Sequence, residues 1–176
     1  LELTRLVCRR DPTQKSRFVR VLFQMLSSPS PAVSYEAAWT LVSLSSSPTA
    51  VRASALTYTN LLNGQNDYNV KLIVLERLEA LKKKHSKIVQ ELLMDILRAL
   101  ASPSPDICKK VLEVAMDVVT ARNVQEVVNV LKREVQKTMS EDQNESKGAN
   151  YRNMLIRAIH GCAVKFPVVA ESVVHT

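Results

Sequence analysis

The chain has 176 residues, 46% of them apolar, and 24 Lys and Arg against 17 Asp and Glu give it a formal charge of +7. That is enough apolar material to bury a core, while only 3 Gly leave little of the turn chemistry that a fold of many short strands requires. No apolar run approaches the ~20 residues that cross a bilayer, and the N-terminus lacks the charged-then-apolar order of a secretory signal, so the chain reads as soluble.

Leu1, Leu3, Leu6 and Val7 open the chain on helical spacing with no capping residue before them, as if the N-terminus cut through a helix. Asp11-Pro12 ends that segment. A second helix from about Thr13 places Phe18, Val21, Leu22, Met25 and Leu26 on one face and Lys15, Arg17 and Arg20 toward solvent. The next unit has both ends marked: Ser30 is positioned to cap a helix, Pro31 sits in the first turn where it loses no hydrogen bond, and Ser45-Ser46-Ser47-Pro48 ends it and opens another. Its apolar stripe is Val33, Ala37, Ala38, Leu41 and Leu44, and the two alanines allow a neighbouring helix to come close. The partner from Thr49 carries Val51, Ala55, Leu56, Leu61 and Leu62.

Asn63-Gly64-Gln65-Asn66-Asp67 is a turn by composition. The helix it opens carries Val70, Leu72, Ile73, Val74, Leu75, Leu78 and Leu81, a wide apolar arc that suits contacts on two sides. From Ser86 to Leu100, Ile88, Val89, Leu92, Leu93, Ile96, Leu97 and Leu100 recur at a spacing no strand shows. Ser104-Pro105-Asp106 opens a further helix with Ile107, Val111, Leu112, Val114, Ala115, Val118 and Val119 inside, and Asn123 can cap its partner with Val124, Val127, Val128, Leu131 and Val135. Valine favours strand by propensity, yet the polar residues between keep the helical period. Helices are therefore expected at 31–45, 49–63, 68–84, 87–101, 106–120 and 123–138. Residues 140–150 are nearly devoid of apolar side chains and read as a flexible loop; a last pair begins near Tyr151, breaks at Phe166-Pro167 and resumes with Val168, Val169, Val173 and Val174.

Sliding the chain by 37 residues brings its apolar positions into coincidence. Val33 falls on Val70 and Ile107, Ala38 on Leu75 and Leu112, Leu41 on Leu78 and Ala115, and Leu44 on Leu81 and Val118; Ser28-Pro29-Ser30-Pro31 returns as Ser102-Pro103-Ser104-Pro105. A helix pair of about this length that cannot bury its apolar face alone is the unit of HEAT and armadillo repeats. The expectation is an all-α, HEAT/armadillo-like α-solenoid of stacked antiparallel helix pairs, with residues 1–176 a single segment of four to five pairs cut from a longer trunk.

Four phrases carry a resemblance beyond the generic repeat. They are Ser-Pro-Ala-Val-Ser-Tyr-Glu-Ala-Ala-Trp-Thr-Leu-Val at 30–42, Asn-Val-Lys-Leu-Ile-Val-Leu-Glu-Arg-Leu at 69–78, Met-Asp-Ile-Leu-Arg at 94–98 and Arg-Asn-Val-Gln-Glu-Val-Val at 122–128. Together they span most of the chain and resemble the beta-subunit family of coatomer, the COPI vesicle coat, within its N-terminal adaptin-like trunk. The resemblance implies a structural scaffold serving Golgi-to-ER and intra-Golgi transport. It further implies other coatomer subunits and a GTP-bound Arf-type small GTPase as partners, without placing the GTPase site in these residues. The location it implies is cytoplasmic and peripheral on Golgi membranes and COPI-coated vesicles.

Chemistry-bearing constellations are missing from the sequence. His85, His160 and His175 are scattered, no His or Cys lies four residues from another, and His160 and Cys162 point apart on a helix. Gly64, Gly148 and Gly161 stand alone, so no phosphate loop is formed; Glu76 with Glu79 and Glu113 with Asp117 read as solvated helix faces. Asn144-Glu145-Ser146 matches the glycosylation pattern by accident in a cytoplasmic chain. Cys8, Cys108 and Cys162, odd in number and far apart, read as reduced core thiols. No catalytic, cofactor-binding or metal-ligating residue is assigned, no cofactor is expected, and the chain is not read as an enzyme. Basic clusters at Arg5, Arg9, Arg10, Lys15, Arg17 and Arg20, at Lys82, Lys83, Lys84 and Lys87, and at Lys132, Arg133 and Lys137 leave a second reading open: a basic helical-repeat nucleic-acid binder or general protein-interaction module. Aromatics are only 5%, and Phe18, Tyr35 and Trp39 lie in apolar patterns, so no nucleic acid is expected as partner.

Overall fold

A computed structural model of the protein describes residues 1–140 and 145–170. Among the described residues the regular structure is helical, with no strand. The elements are α1 (Glu2–Arg10), α2 (Lys15–Met25), α3 (Pro31–Leu44), α4 (Pro48–Gly64), α5 (Tyr68–Glu91), α6 (Leu93–Leu97), α7 (Pro105–Asp117), α8 (Val124–Ser140) and α9 (Glu145–Lys165), with 3₁₀ turns at Pro12–Gln14, Arg98–Ala101 and Pro167–Val169. The valine-rich α8 is helical because its buried Val124, Val127, Val128 and Leu131 form one stripe, and packing of that stripe outweighs intrinsic propensity.

The repeat is realised in the backbone. α3, α5 and α7 begin at Pro31, Tyr68 and Pro105, each one 37-residue period after the last. Of the twelve superposed apolar positions none is exposed: Val33, Val70 and Leu44 are half-buried and the others buried. The caps differ from repeat to repeat. Asp67 accepts hydrogen bonds from the Asn69 and Val70 N–H groups at 2.7 and 3.1 Å, and Ser104 accepts from Ile107 N–H at 3.5 Å. Ser30 occupies the capping position without a side-chain cap bond; instead its own N–H donates to Ser28 Oγ at 3.3 Å. The Asn123 side chain turns back to accept from Thr120 N–H at 2.7 Å.

Several expectations are corrected. The helices expected at 68–84 and 87–101 are not separated by a loop: α5 runs on to Glu91 through a kink at His85, where φ is −137° and ψ 49°. His85 lies one period after Pro48, so the linker that precedes α4 is here reduced to a single non-helical residue. The remainder of 87–101 is broken at Leu92, continues as α6 and ends as a 3₁₀ turn, yet still buries Ile88, Val89, Leu93, Ile96, Leu97 and Leu100. α9 begins at Glu145, so residues 145–150 of the expected loop are helical, while 141–144 lie outside the described residues, as do Val173, Val174 and His175 and the Asn144 of the glycosylation match. Val21, Leu56 and Ile73 face solvent instead of the core.

Two compact units share the chain, Leu1–Leu92 and the described residues from Leu93 onward. In the first, Leu22, Ala37, Leu41 and Ala50 form a core against which Val19, Phe23, Met25, Leu26 and Leu44 pack. α3 and α4 are antiparallel. The rings of Tyr35 and Tyr58 are 5.7 Å apart, and three residues further along α3 the Ala38 carbonyl accepts from Ser54 Oγ at 3.1 Å, four residues back along α4. Ala37, Ala38, Ala50 and Ala55, all fully buried, permit this close approach. In the second unit, α7, α8 and α9 bury Ile107, Val111, Leu112, Ala115, Leu131, Leu155 and Ile159, and Tyr151 Oη donates to the Leu100 carbonyl at 3.2 Å. Arg152 binds the end of α8 through the Thr138 carbonyl at 3.1 Å.

Candidate interaction face

α3 presents Tyr35, Glu36, Trp39 and Thr40 in succession. At ~100° per residue, Glu36 and Thr40 lie on one flank of Trp39 and Tyr35 on the other. Each flank meets an arginine from a different helix. From α1, Arg5 Nη1 donates to Thr40 Oγ1 at 2.7 Å and to Glu36 Oε2 at 3.2 Å, and its guanidinium carbon lies 4.1 Å from the Trp39 ring centroid. From α5, Arg77 Nε donates to Tyr35 Oη at 2.8 Å, with its guanidinium carbon 4.2 Å from Trp39 and 5.7 Å from Tyr35. Trp39 is thus clasped between two guanidiniums, each contact contributing about 0.5–2 kcal/mol according to how far water is excluded.

The two arginines are not equivalent. The Arg5 side chain is 13% exposed and its Nη1 is partnered twice, by Glu36, which answers the charge, and by the buried Thr40 hydroxyl. Arg77 is half-buried, spends Nε on a phenol, and has no carboxylate partner among the described residues. Behind it Tyr58 is buried, and burial together with the neighbouring Tyr35 pushes its hydroxyl well above the ordinary phenol range, with Arg77 pulling the other way. Trp39, expected to pack in the core, is half-buried and covered on both flanks by cations, which leaves no ring face for a nucleic-acid base.

The remaining basic residues are dispersed. Arg9, Arg10, Lys15, Arg17 and Arg20 are exposed, as are Lys83, Lys84, Lys87 and Arg133, while Lys82 and Lys132 are half-buried. Several charges are spent within the chain: Lys83 on Glu79 at 3.6 Å, Lys137 on Glu134 at 2.6 Å, and Arg52 on Glu91 through paired bonds of 2.8 and 2.9 Å. Glu76, Glu113 and Asp117 face solvent.

Among the described residues no three His, Cys, Asp or Glu side chains converge to hold a metal. His160 is exposed while Cys162 is buried, and burial pushes the Cys162 thiol up against the opposing pull of Lys165, the reverse of what a nucleophile needs. Cys8 is likewise a buried thiol, and the buried Cys108 Sγ donates to the Leu100 and Ser102 carbonyls, each at 3.4 Å. Among the described residues no helix is long and apolar enough to cross a membrane. Sequence reasoning picked out Arg5 only as one of a basic cluster and passed over Arg77. The repeat offered no signal for the clasp, since Arg5, Trp39 and Arg77 do not fall on equivalent positions of the 37-residue period.

The whole chain, residues 1–176, matches the family described as Adaptin N terminal region. It is 54% identical over 175 residues to coatomer subunit beta-2 of Arabidopsis thaliana, covering 99% of this chain and 18% of that protein. Coatomer subunit beta of Dictyostelium discoideum is 51% identical over 174 residues, 99% of this chain and 19% of that protein, and coatomer subunit beta of Rattus norvegicus 47% identical over 176 residues, 99% and 18%. This chain therefore spans less than a fifth of the length of these relatives. Helix starts at one repeating interval, paired apolar faces and a family match over every residue lead to one assignment: the chain belongs to the adaptin N-terminal region family, and nearly all of it is similar to coatomer beta subunits.

Proposed function

We propose that this chain is a segment of the trunk of a COPI coat subunit, a solenoid piece that works as a non-enzymatic scaffold in Golgi-to-ER and intra-Golgi transport. The observation that carries the proposal is identity of 47–54% to coatomer beta subunits over 99% of the chain. The physical features agree with it. Packed helix pairs resist bending, and side chains spent on ion pairs and ring contacts are suited to holding surfaces in register. In this reading the chain has no catalytic, cofactor-binding or metal-ligating residue and is cytoplasmic. Its partners are other coatomer subunits, its membrane contact is peripheral, and recruitment to Golgi membranes depends on a GTP-bound Arf-type small GTPase. A nucleic-acid role loses support, because the ring best placed for stacking is already covered on both flanks by arginine.

Two measurements test this. The full-length protein purified from cells is expected to bring down the other coatomer subunits in fixed proportion. In liposome flotation the isolated chain should bind anionic vesicles weakly and lose that binding near physiological salt, while the assembled complex floats when GTP-loaded GTPase is present. A parent protein that purifies alone, shows no GTP-dependent flotation and binds RNA tightly at physiological salt would overturn the reading.

A further inference from the structure

Arg77 is a half-buried cation whose orientation is already set and whose charge is unanswered. Its Nε donates to Tyr35 Oη at 2.8 Å and its guanidinium carbon lies over the Trp39 ring, 4.2 Å from the centroid, so little side-chain freedom remains to be lost when a ligand arrives. Arg5 provides the comparison within the same site. It stacks on the same indole at 4.1 Å, but it also has a carboxylate, Glu36, at 3.2 Å. Arg77 has the ring contact and lacks the carboxylate; its terminal nitrogens have no partner among the described residues.

We propose that Arg77, beside Trp39 and Ile73, is a docking point for an acidic segment of a partner protein, whose carboxylate answers the charge of Arg77 as Glu36 answers that of Arg5. A carboxylate suits the Arg77 fork because two parallel N–H···O bonds match its geometry and a charge-assisted pair answers a partly dehydrated cation. Ile73, one turn before Arg77 on α5 and 45% exposed, offers apolar footing, so the favoured segment places an apolar side chain near its acid. Exposed basic side chains flank the site. Lys84 lies two turns beyond Arg77 and Arg9 one turn beyond Arg5, both exposed, while Glu36 is spent on Arg5 and Glu76 points ~100° away from Arg77 around the helix. A lipid surface fits less well, because a half-buried fork is reached by a side chain on a short stalk and not by a flat array of headgroups. The inference concerns this surface alone and does not depend on the coat reading.

Trp39 is the chain's one tryptophan, so its emission reports from inside the site. The probes are a short peptide alternating Glu and Leu, the matched Gln–Leu peptide, oligothymidylate, and phosphatidylserine vesicles, all near physiological salt. The Glu–Leu peptide should change Trp39 emission saturably, and its Kd should rise about tenfold in Arg77→Gln and Arg77→Lys, the scale of one lost charge-assisted bond, while Arg20→Gln behaves as the parent. Arg77→Lys keeps the charge and removes the fork, so it remains informative if Arg77→Gln loses helicity by circular dichroism. No saturable response to the Glu–Leu peptide, equal binding of the Gln–Leu peptide, unchanged affinity in Arg77→Lys, or a response confined to oligothymidylate or vesicles would each overturn the proposal.

Discussion

Leu75 and Ile73 sit two residues apart on α5, and the structure assigns them opposite fates: Leu75 is 1% exposed and Ile73 45%. Truncating Leu75 to Ala removes three carbons from a closed site, a transfer loss of about 2.4 kcal/mol at ~0.8 kcal/mol per buried methylene. The cavity left behind raises the cost to about 3–4 kcal/mol, since neighbours anchored on α4 and α5 collapse only in part. Ile73→Ala removes similar atoms from a position already half in water, and should cost about 1 kcal/mol or less. Urea unfolding followed by Trp39 fluorescence reads the unit that contains both residues. With an m-value near ~2 kcal/mol/M, Leu75→Ala should lower the midpoint by about 1.5 M or more and Ile73→Ala by under about 0.5 M, with slopes unchanged. Equal shifts for the two variants would refute the helical register of α5, and with it the alignment of Leu75 with Ala38 and Leu112.

Arg5→Ala strips the buried Thr40 hydroxyl of its donor and Glu36 of its counter-charge, and should cost about 1–3 kcal/mol in the same unfolding assay; a loss below about 0.5 kcal/mol would show that the clasp contributes nothing. Asp67→Ala removes two cap bonds and should cost about 1 kcal/mol, whereas Ser30→Ala should cost no more than a few tenths, because the Ser30 side chain makes no cap bond. Burial holds the Cys162 thiol neutral, so its folded pKa exceeds its unfolded one. The stability tied to that difference is fully present below about pH 8.5 and is lost as the pH rises through the folded value. Melts between pH 7 and 10 should show a decline that is shallower in Cys162→Ala, and native Cys162 should alkylate far more slowly than free cysteine at pH 8.

Much of the fold was legible in the order of residues, because a helix face is a local property. The 37-residue recurrence of apolar positions, with Pro31 and Pro105 at helix starts and Asp67 between them, located the starts of α3, α5 and α7 to within a residue, though not the ends of α5 and α7. Spacing of polar residues was also enough to read the valine-rich α8 as a helix. What spacing could not rank was one apolar residue against another. Val21, Leu56 and Ile73 look like core positions in the sequence, and only the placement of neighbouring helices leaves them in water. Nor could composition show that the linker before the second helix of a pair would shrink to a kink at His85, or that α9 would begin as early as Glu145, since polar residues serve a solvated helix as readily as a loop. The candidate site was the least legible part. Its bonds join residues 35 and 42 positions apart, Arg5 with Thr40 and Tyr35 with Arg77. Every one of those side chains has an ordinary local role in its own helix, and only the packing of α1 and α5 on either flank of α3 brings two guanidiniums onto one indole and leaves one of them without a carboxylate.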